Sequence, residues 1–254
     1  MRFISCHDGK LEVLGTQAFR APAARAFTTG LDALDALAPG GGFARGAVHE
    51  ILSAPEHGTP LFFAALLAAA SGQGDEAEGR KFILWCDPTK EIYPPALANH
   101  GIALTHLFLV RPREPRDLLW SISEALRCKG VAAVVAAPPR LSRVAARRLQ
   151  LSAERGGGVG LLLRRANSPD IGCYAAATRW LVRPAPGQRT VQRWSVQLIH
   201  GHGGCVGQTV FLELSRENHS VRALESLAHR PVETRPTTHP TMHPSQTPTI
   251  AQAS

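Results

Sequence analysis

Residues 53–60 lie where a nucleotide triphosphate site would be expected. An apolar, strand-like run, Val48 to Ser53, is followed by a turn and then by a strongly apolar helical segment, 61–70. A phosphate-binding P-loop, G-x-x-x-x-G-K-[ST], joins a strand to a helix in this way, with a Lys for the β and γ phosphates and a hydroxyl for magnesium. Of that pattern only Gly58 is present, and Thr59 and Pro60 stand where the Lys and the hydroxyl should be. The sequence therefore predicts a degenerate nucleotide-binding loop made of Ser53, Gly58, Thr59 and Pro60.

Thr59 and Pro60 also have a purely structural explanation. A threonine is a common helix cap, and proline is favoured at the first helical position. Pro60 has no backbone N–H, so it also removes one donor from any phosphate cradle at the helix start. We favour an ordinary capped helix start over a working phosphate site, and we expect no cofactor.

Two later strand ends carry little that could act on a nucleotide. The predicted strand 131–137 runs into Pro138 and ends without a carboxylate. After the strand 82–86, Asp87 precedes a proline, and an Asp in that setting is usually a turn former.

The charge is concentrated in one segment. Residues 140–193 contain eleven arginines and two acidic residues, a net +9, whereas the whole chain carries +8. A helix is predicted at 141–155, and Arg140, Arg143 and Arg147 follow i, i+3, i+7 spacing, which places them in one basic stripe. The predicted inward face of this helix consists of Leu141, Val144, Ala145, Leu149 and Ser152. Arg148 is predicted to lie toward that inward face. Arg164 and Arg165 follow the next strand. These six arginines are candidate contacts to DNA or to a partner, with a solvated basic face as the alternative. No aromatic residue interleaves them before Tyr174, so base stacking is not indicated.

No metal site is predicted. His200 and His202 would share one face of a strand, but no fourth ligand is evident near Cys205, and a glycine-rich hairpin explains the segment better than a zinc site. The five cysteines include no C-x-x-C pair, so we expect reduced and mostly buried thiols.

The remaining pattern is that of an α/β protein. Apolar strands alternate with helical segments, as in a mostly parallel sheet flanked by helices, and three later strands bounded by Pro and Gly are expected to be short and antiparallel. The tail beyond residue 228 is rich in Pro, Thr and His and is predicted to be disordered. The longest apolar run is too short to cross a bilayer, and we expect a soluble, cytoplasmic protein without a membrane contact. The predicted division is a lead segment 1–27, a domain 28–228 and a tail 229–254.

The segments around the degenerate loop resemble the RecA superfamily. The resemblance rests on the run from Thr29 to Asp35, on Gly40 to Ile51 leading into the loop, and on the order of the later strands and helices. Within that superfamily the chain resembles a divergent branch, the ImuA family of bacterial translesion synthesis, in the Pro-Gly-Gly-Gly run at 39–42, the helix around 147–154 and the strands at 194–213. The resemblance covers about residues 28–215.

The resemblance implies a magnesium-binding carboxylate where Pro138 stands and a catalytic carboxylate after the strand 82–86, and both are absent. With the lysine of the loop missing as well, the protein is predicted not to be an ATPase. The resemblance therefore implies a RecA-like domain that has lost catalysis and acts as an accessory protein in SOS-induced, error-prone DNA repair. The implied partners are an ImuB-like Y-family polymerase homologue, an error-prone polymerase III alpha-type subunit and single-stranded DNA. In RecA proteins DNA is held by loops after the strands that correspond to 131–137 and 159–163, close to the candidate arginines. The alternatives are a SulA-like cell-division inhibitor that acts by protein binding only and, disfavoured by Thr59, Pro60 and Pro138, a competent RecA-type ATPase.

Overall fold

The computed structural model of the chain contains a central sheet with helices on both faces. The predicted tail, 229–254, lies outside the described residues. Those residues are 3–7, 10–14, 26–53, 56–73, 81–165 and 175–224.

The helices and strands follow one another in the order of an α/β protein. The strands are β1 (Phe3–His7), β2 (Lys10–Leu14), β3 (Ala26–Phe27), β4 (Phe43–Ala44), β5 (Ala47–Ser53), β6 (Phe82–Cys86), β7 (Leu107–Val110), β8 (Val131–Ala136), β9 (Val159–Arg165), β10 (Thr178–Gln188), β11 (Val191–Gly201), β12 (Thr209–Ser215) and β13 (Val221–Leu224). The helices are α1 (Asp32–Asp35), α2 (Leu61–Gly72), α3 (Pro94–Asn99), α4 (Pro115–Arg127) and α5 (Arg143–Gly156).

The main sheet has nine strands, in the order β13-β12-β11-β10-β5-β9-β8-β6-β7. The strands from β10 to β7 pair in parallel, whereas β10 to β13 pair antiparallel to one another. This arrangement confirms the predicted mostly parallel sheet with C-terminal antiparallel strands, but the predicted shortness of these strands is wrong for β10 and β11, which have 11 residues each. Two small antiparallel sheets, β1 with β2 and β3 with β4, complete the described strands.

Helices cover both faces of the parallel strands. One face, the α2 face, carries Ile51, Leu161 and Trp180 and packs in one core with Phe63 of α2. The opposite face, the α5 face, forms a second core with α4 and α5. Because both faces are covered, every residue of β8 is buried, and its sequence is an uninterrupted apolar run.

The antiparallel strands are covered differently. On each of these strands one set of alternating residues, which includes Val196, Leu198, Val210 and Leu212, belongs to the core of the α2 face. Strand alternation places the intervening residues on the α5 face, where side chains such as Arg183 and Phe211 are exposed.

Several details of the prediction are wrong. The helix predicted from Leu141 begins at Arg143, because Ser142 caps it by accepting the Ala145 N–H at 3.2 Å. The cysteines are free where described, but Cys128 is exposed and Cys205 is partly exposed, so only Cys86 fits the expected burial.

None of the helices in the described ranges is long and apolar enough to span a membrane.

Candidate functional site

The start of α2 offers few donors to a phosphate. Pro60 occupies the capping position, and no side chain caps this helix end, so the predicted role of the Thr59 hydroxyl is wrong. The Leu61 N–H donates to the Thr59 carbonyl at 2.8 Å and is thus turned back on the chain. Pro60 itself has no N–H. A P-loop requires backbone N–H groups that point at the anion, and two consecutive positions at the start of α2 therefore cannot supply one.

The other two residues of the degenerate loop do not form a cradle either. A Cβ added to Gly58 would meet nothing within 4 Å, and this glycine is not among the residues with positive φ. The conformation at Gly58 therefore does not require glycine. Ser53 ends β5 with 1% exposure, and its hydroxyl has no hydrogen-bond partner among the described residues.

The ends of β6 and β8 agree with structural roles. Asp87 is 2% exposed, and its carboxylate accepts the backbone N–H groups of Glu91 at 3.0 Å and Ile92 at 3.4 Å. Arg111 Nε lies 3.6 Å from the same carboxylate. Asp87 is therefore the turn former that the sequence predicts. Pro138, which the resemblance predicts to stand in place of a magnesium ligand, is buried two residues after β8 ends.

A buried ion cluster, which sequence reasoning missed, crosses the middle of the sheet. Glu50 on β5 is fully buried, and its two oxygens accept from Arg164 Nη1 and Arg179 Nε, each at 2.8 Å. These arginines come from the neighbouring strands β9 and β10, and their side chains are 15% and 10% exposed. Arg164, predicted to contact DNA or a partner, is thus held by Glu50 inside the protein. The only sequence indication was a charged residue inside an apolar strand.

A second polar network lies on the α2 face of the same strands. His49 Nε2 is 2.9 Å from the Ala44 carbonyl, which can only accept, so this nitrogen carries the proton. The Thr178 hydroxyl, 2.6 Å from His49 Nδ1, then donates to the ring and accepts from Trp180 Nε1 at 2.7 Å. Burial lowers the pKa of His49 to about 4, opposed by the hydrogen bond to Ala44. The ring is therefore neutral near pH 7.

The arginines of α5 are all exposed, on two flanks of the helix. Gln150 accepts the Val48 N–H of β5 at 2.9 Å, which shows that its flank faces β5. By helical geometry Arg143 and Arg147 share this flank. Arg147 Nη1 is also 3.8 Å from Glu154. Arg143 and Arg147 thus share one flank, whereas Arg140, the third member of the predicted helical stripe, precedes the helix, so that part of the prediction is wrong.

The predicted inward orientation of Arg148 on α5 is wrong. It is exposed, and helical geometry places it near the flank of Ser152, whose hydroxyl is 3.0 Å from Ser123 of α4. Val144, predicted to point inward, is 63% exposed. The buried stripe consists instead of Ala146, Leu149, Gln150, Ser152 and Ala153.

Two further predicted contact residues flank the carboxyl ends of parallel strands. Arg140 lies in the exposed connection between β8 and α5, and Arg165 is the exposed last residue of β9. In a parallel sheet these ends lie at the same edge. Arg143 and Arg147 lie in the first turns of α5, next to the same edge. We call Arg140, Arg143, Arg147 and Arg165 the basic margin, in which Arg165 follows Leu163 in alternation and so lies toward the α2 face, whereas Arg143 and Arg147 lie on the α5 side.

The histidines near the end of β11 make no metal centre with the described residues. The rings of His200 and His202 are 5.3 Å apart, edge to face, and Cys205 Sγ is 3.6 Å from the Ala36 carbonyl. Partial burial and the neighbouring His202 and Arg179 lower the pKa of His200. Among the residues that the structure describes, no group of three or more His, Cys, Asp or Glu could hold a metal ion.

Comparison with known proteins gives one group of relatives. The chain is 30% identical over 224 residues to Protein ImuA of Caulobacter vibrioides strain NA1000 / CB15N, and the match covers 80% of this chain and 90% of that protein. Protein ImuA of strain ATCC 19089 / CIP 103742 / CB 15 matches with the same values. No family model matches the chain.

Proposed function

The chain belongs to the ImuA family, and we propose that it is a non-catalytic accessory protein of SOS-induced, error-prone translesion DNA synthesis. The family assignment rests on 30% identity across 90% of the Caulobacter protein. The family is associated with SOS mutagenesis, and this association carries the proposal. The proposed partners are an ImuB-like Y-family polymerase homologue, an error-prone polymerase III alpha-type subunit and single-stranded DNA.

The helix start supports the absence of catalysis in this proposal. A P-loop binds phosphate through successive N–H groups and a lysine. Here Pro60 has no N–H, the Leu61 N–H is bonded to Thr59, and Thr59 replaces the lysine. Asp87 is committed to its own turn by two backbone hydrogen bonds.

The exposed arginines support a role in assembly. Arg140, Arg143, Arg147 and Arg165 lie along one edge of the sheet and its covering helix, while Arg164 is neutralised by Glu50. Clustered guanidinium groups suit phosphates and carboxylates, because each can form two parallel hydrogen bonds. A division inhibitor that acts only through protein contacts does not need such a cluster at this edge.

Phosphate release tests the absence of catalysis. The purified full-length chain, with ATP, magnesium and single-stranded DNA, should release phosphate no faster than a Thr59→Ala variant. Thr59 makes no side-chain cap, so the substitution leaves the helix start intact. Turnover clearly above that of the variant would show that the loop is a working site and would refute the non-catalytic role.

Damage-induced mutagenesis tests the cellular role. Deletion of the gene should lower the frequency of mutations after DNA damage, and the parent chain should restore it while cell length stays unchanged. The polymerase partners should co-purify with a tagged chain from damaged cells. Unchanged mutagenesis together with altered filamentation would reject the proposal and favour the division inhibitor.

A further inference from the structure

The antiparallel part of the sheet presents a flat, partly exposed surface on the α5 face. We call this surface the open face, and strand register orders it in rows. Arg183 lies opposite Ser195, Ser195 opposite Phe211, and Phe211 opposite Leu224. In the next row Arg193, Glu213 and Arg222 are neighbours on three strands. The open face consists of Arg183, Arg193, Ser195, Gln197, Thr209, Phe211, Glu213, Arg222 and Leu224.

An aromatic ring lies in the middle of this surface. Phe211 is 37% exposed on β12, and its neighbours in register are the small Ser195 and the aliphatic Leu224. On the β11 side of the ring, the small Ser195 leaves room for a flat group to lie against Phe211. The residue pattern alone does not indicate such stacking, because Phe211 lies outside the arginine-rich stretch 140–193.

The cations around Phe211 are held in place. Glu213 is 5% exposed and accepts from Arg193 Nε at 3.1 Å and Arg222 Nε at 2.9 Å. These two arginines also lower the pKa of Glu213, chiefly through their hydrogen bonds, so the carboxylate stays ionised. The cluster keeps a net charge of +1. Arg183, which forms no ion pair with a described residue, adds another positive charge.

The open face continues into the basic margin. The buried cluster of Glu50, Arg164 and Arg179 lies on the same side of the sheet and has the same net charge of +1. Arg179 is in register with His200 of β11, which joins that cluster to the antiparallel strands. Beyond it, Arg143 and Arg147 border the surface from α5. Arginines thus occur on this side of the sheet from α5 to β13.

We propose that the open face binds single-stranded nucleic acid, with a base stacked on Phe211 and phosphates held by Arg183, Arg193 and Arg222. Flat sheets with exposed aromatic residues bind unpaired bases in this way, and the π-face of any base suffices. A duplex hides its bases, so a sheet with a central ring favours a single strand. The choice of nucleic acid over an acidic peptide follows from this ring and rests on the proposed function in DNA synthesis.

Binding of a labelled oligo(dT) to the purified full-length chain tests the site. Phe211→Ala should weaken binding by about 5- to 150-fold, the range found when a stacked base loses its aromatic partner. Phe211→Trp should keep the parent affinity. Trp120→Ala is the matched control, because Trp120 is 67% exposed on α4, outside the open face, and its loss should change nothing. An oligo(rU) arm measures whether the face distinguishes DNA from RNA.

Salt dependence tests the phosphate contacts. Arg183→Ala should lower the slope of log affinity against log salt by about 0.7, the value for one contact to a single strand. Circular dichroism of each variant ensures that the fold is retained. Parent-like affinity of both Phe211→Ala and Arg183→Ala, with an unchanged slope, would overturn the proposal. So would binding that depends only on Arg143 and Arg147, or an Arg183→Ala variant that loses only a protein partner.

The two proposals fail in distinguishable ways. If the variants change the affinity for oligo(dT) as expected but gene deletion leaves mutagenesis unchanged, the binding site on the open face is supported and the cellular role is rejected. If mutagenesis depends on the gene but Phe211→Ala binds and functions as the parent does, the role is supported and this site is rejected.

Discussion

Substitution of Glu50 by Gln should destabilise the protein more than a typical point mutation. Glu50 is fully buried and is the shared anion of Arg164 and Arg179. Removal of one member of a buried ion pair costs about 3–5 kcal/mol, because the remaining charge is left uncompensated. Both arginine side chains keep 10–15% exposure, which favours the lower end, about 3 kcal/mol. For a chain of this size that free energy corresponds to a fall of roughly 6–12 °C in the thermal midpoint.

Glu213 provides a matched comparison. It also bridges two arginines across three strands, but the side chains of Arg193 and Arg222 are 34% and 72% exposed. Water can solvate these cations when the carboxylate is removed, so Glu213→Gln should lower the midpoint by less than half as much as Glu50→Gln. The two substitutions are chemically identical, and the burial of the partner arginines is the main difference between them.

A third variant separates orphaned charge from lost packing. Replacement of the whole cluster by apolar residues, as in E50L/R164L/R179M, should restore much of the stability that E50Q loses, because no buried cation remains. Thermal and urea denaturation followed by circular dichroism measure all three variants. An E50Q midpoint no lower than that of E213Q, or a triple variant with no recovery, would refute the reasoning.

Two further predictions concern polar groups near the same strands. Because burial lowers the pKa of His49 to about 4, the unfolded chain, with an ordinary pKa of 6.5, binds this proton more tightly. The free energy of unfolding should therefore fall by about 1 kcal/mol between roughly pH 7.5 and 5.5 and continue to fall toward pH 4. His49→Gln should flatten that decline in urea titrations, and an unchanged slope would contradict the assignment. Gln150→Ala should cost about 1–3 kcal/mol because the buried Val48 N–H loses its acceptor, whereas the exposed Arg148→Ala should stay within about 0.5 kcal/mol. If Arg148→Ala lost as much free energy of unfolding as Gln150→Ala, Arg148 would have to lie on the inward face of α5.

The parallel core was predictable because burial on both faces leaves a continuous apolar run. The run at 131–137 predicts β8, which is buried throughout, to within one residue. The run at 107–110 predicts the edge strand β7 with its observed bounds, although no residue of β7 is fully buried. Each of these strands can be recognised from its own residues, without knowledge of distant parts of the chain. The prediction of a degenerate loop before α2 also rests on local residues, because Thr59 and Pro60 are adjacent in the sequence.

The inward face of α5 was harder to predict, because small and polar residues form it. Ala146 and Ala153 carry little hydropathy contrast, and Gln150 is buried only because it accepts a backbone N–H from β5. Counting from Leu141, before the Ser142 cap, added Val144 and Arg148 to the wrong face. The Glu50 cluster was beyond local reasoning, since its partners lie 114 and 129 residues away in the chain.

The open face is a consequence of how the antiparallel strands are connected. Parallel strands need crossovers, and the crossover helices cover the sheet, whereas β10 and β11 are joined by a turn at 189–190 that brings no helix. On such strands the solvent side should carry polar residues, as Ser195, Gln197 and Thr209 do. Phe211 breaks this alternation on β12, between inward-facing Val210 and Leu212. An apolar ring at a solvent position is not needed by the core, and local departures from the expected pattern concentrate where a surface has a function. Phe211 lies next to Arg193 and Arg222, whose side chains are hydrogen-bonded to Glu213. We therefore assign the binding site to this strand rather than to the exposed α5 arginines alone.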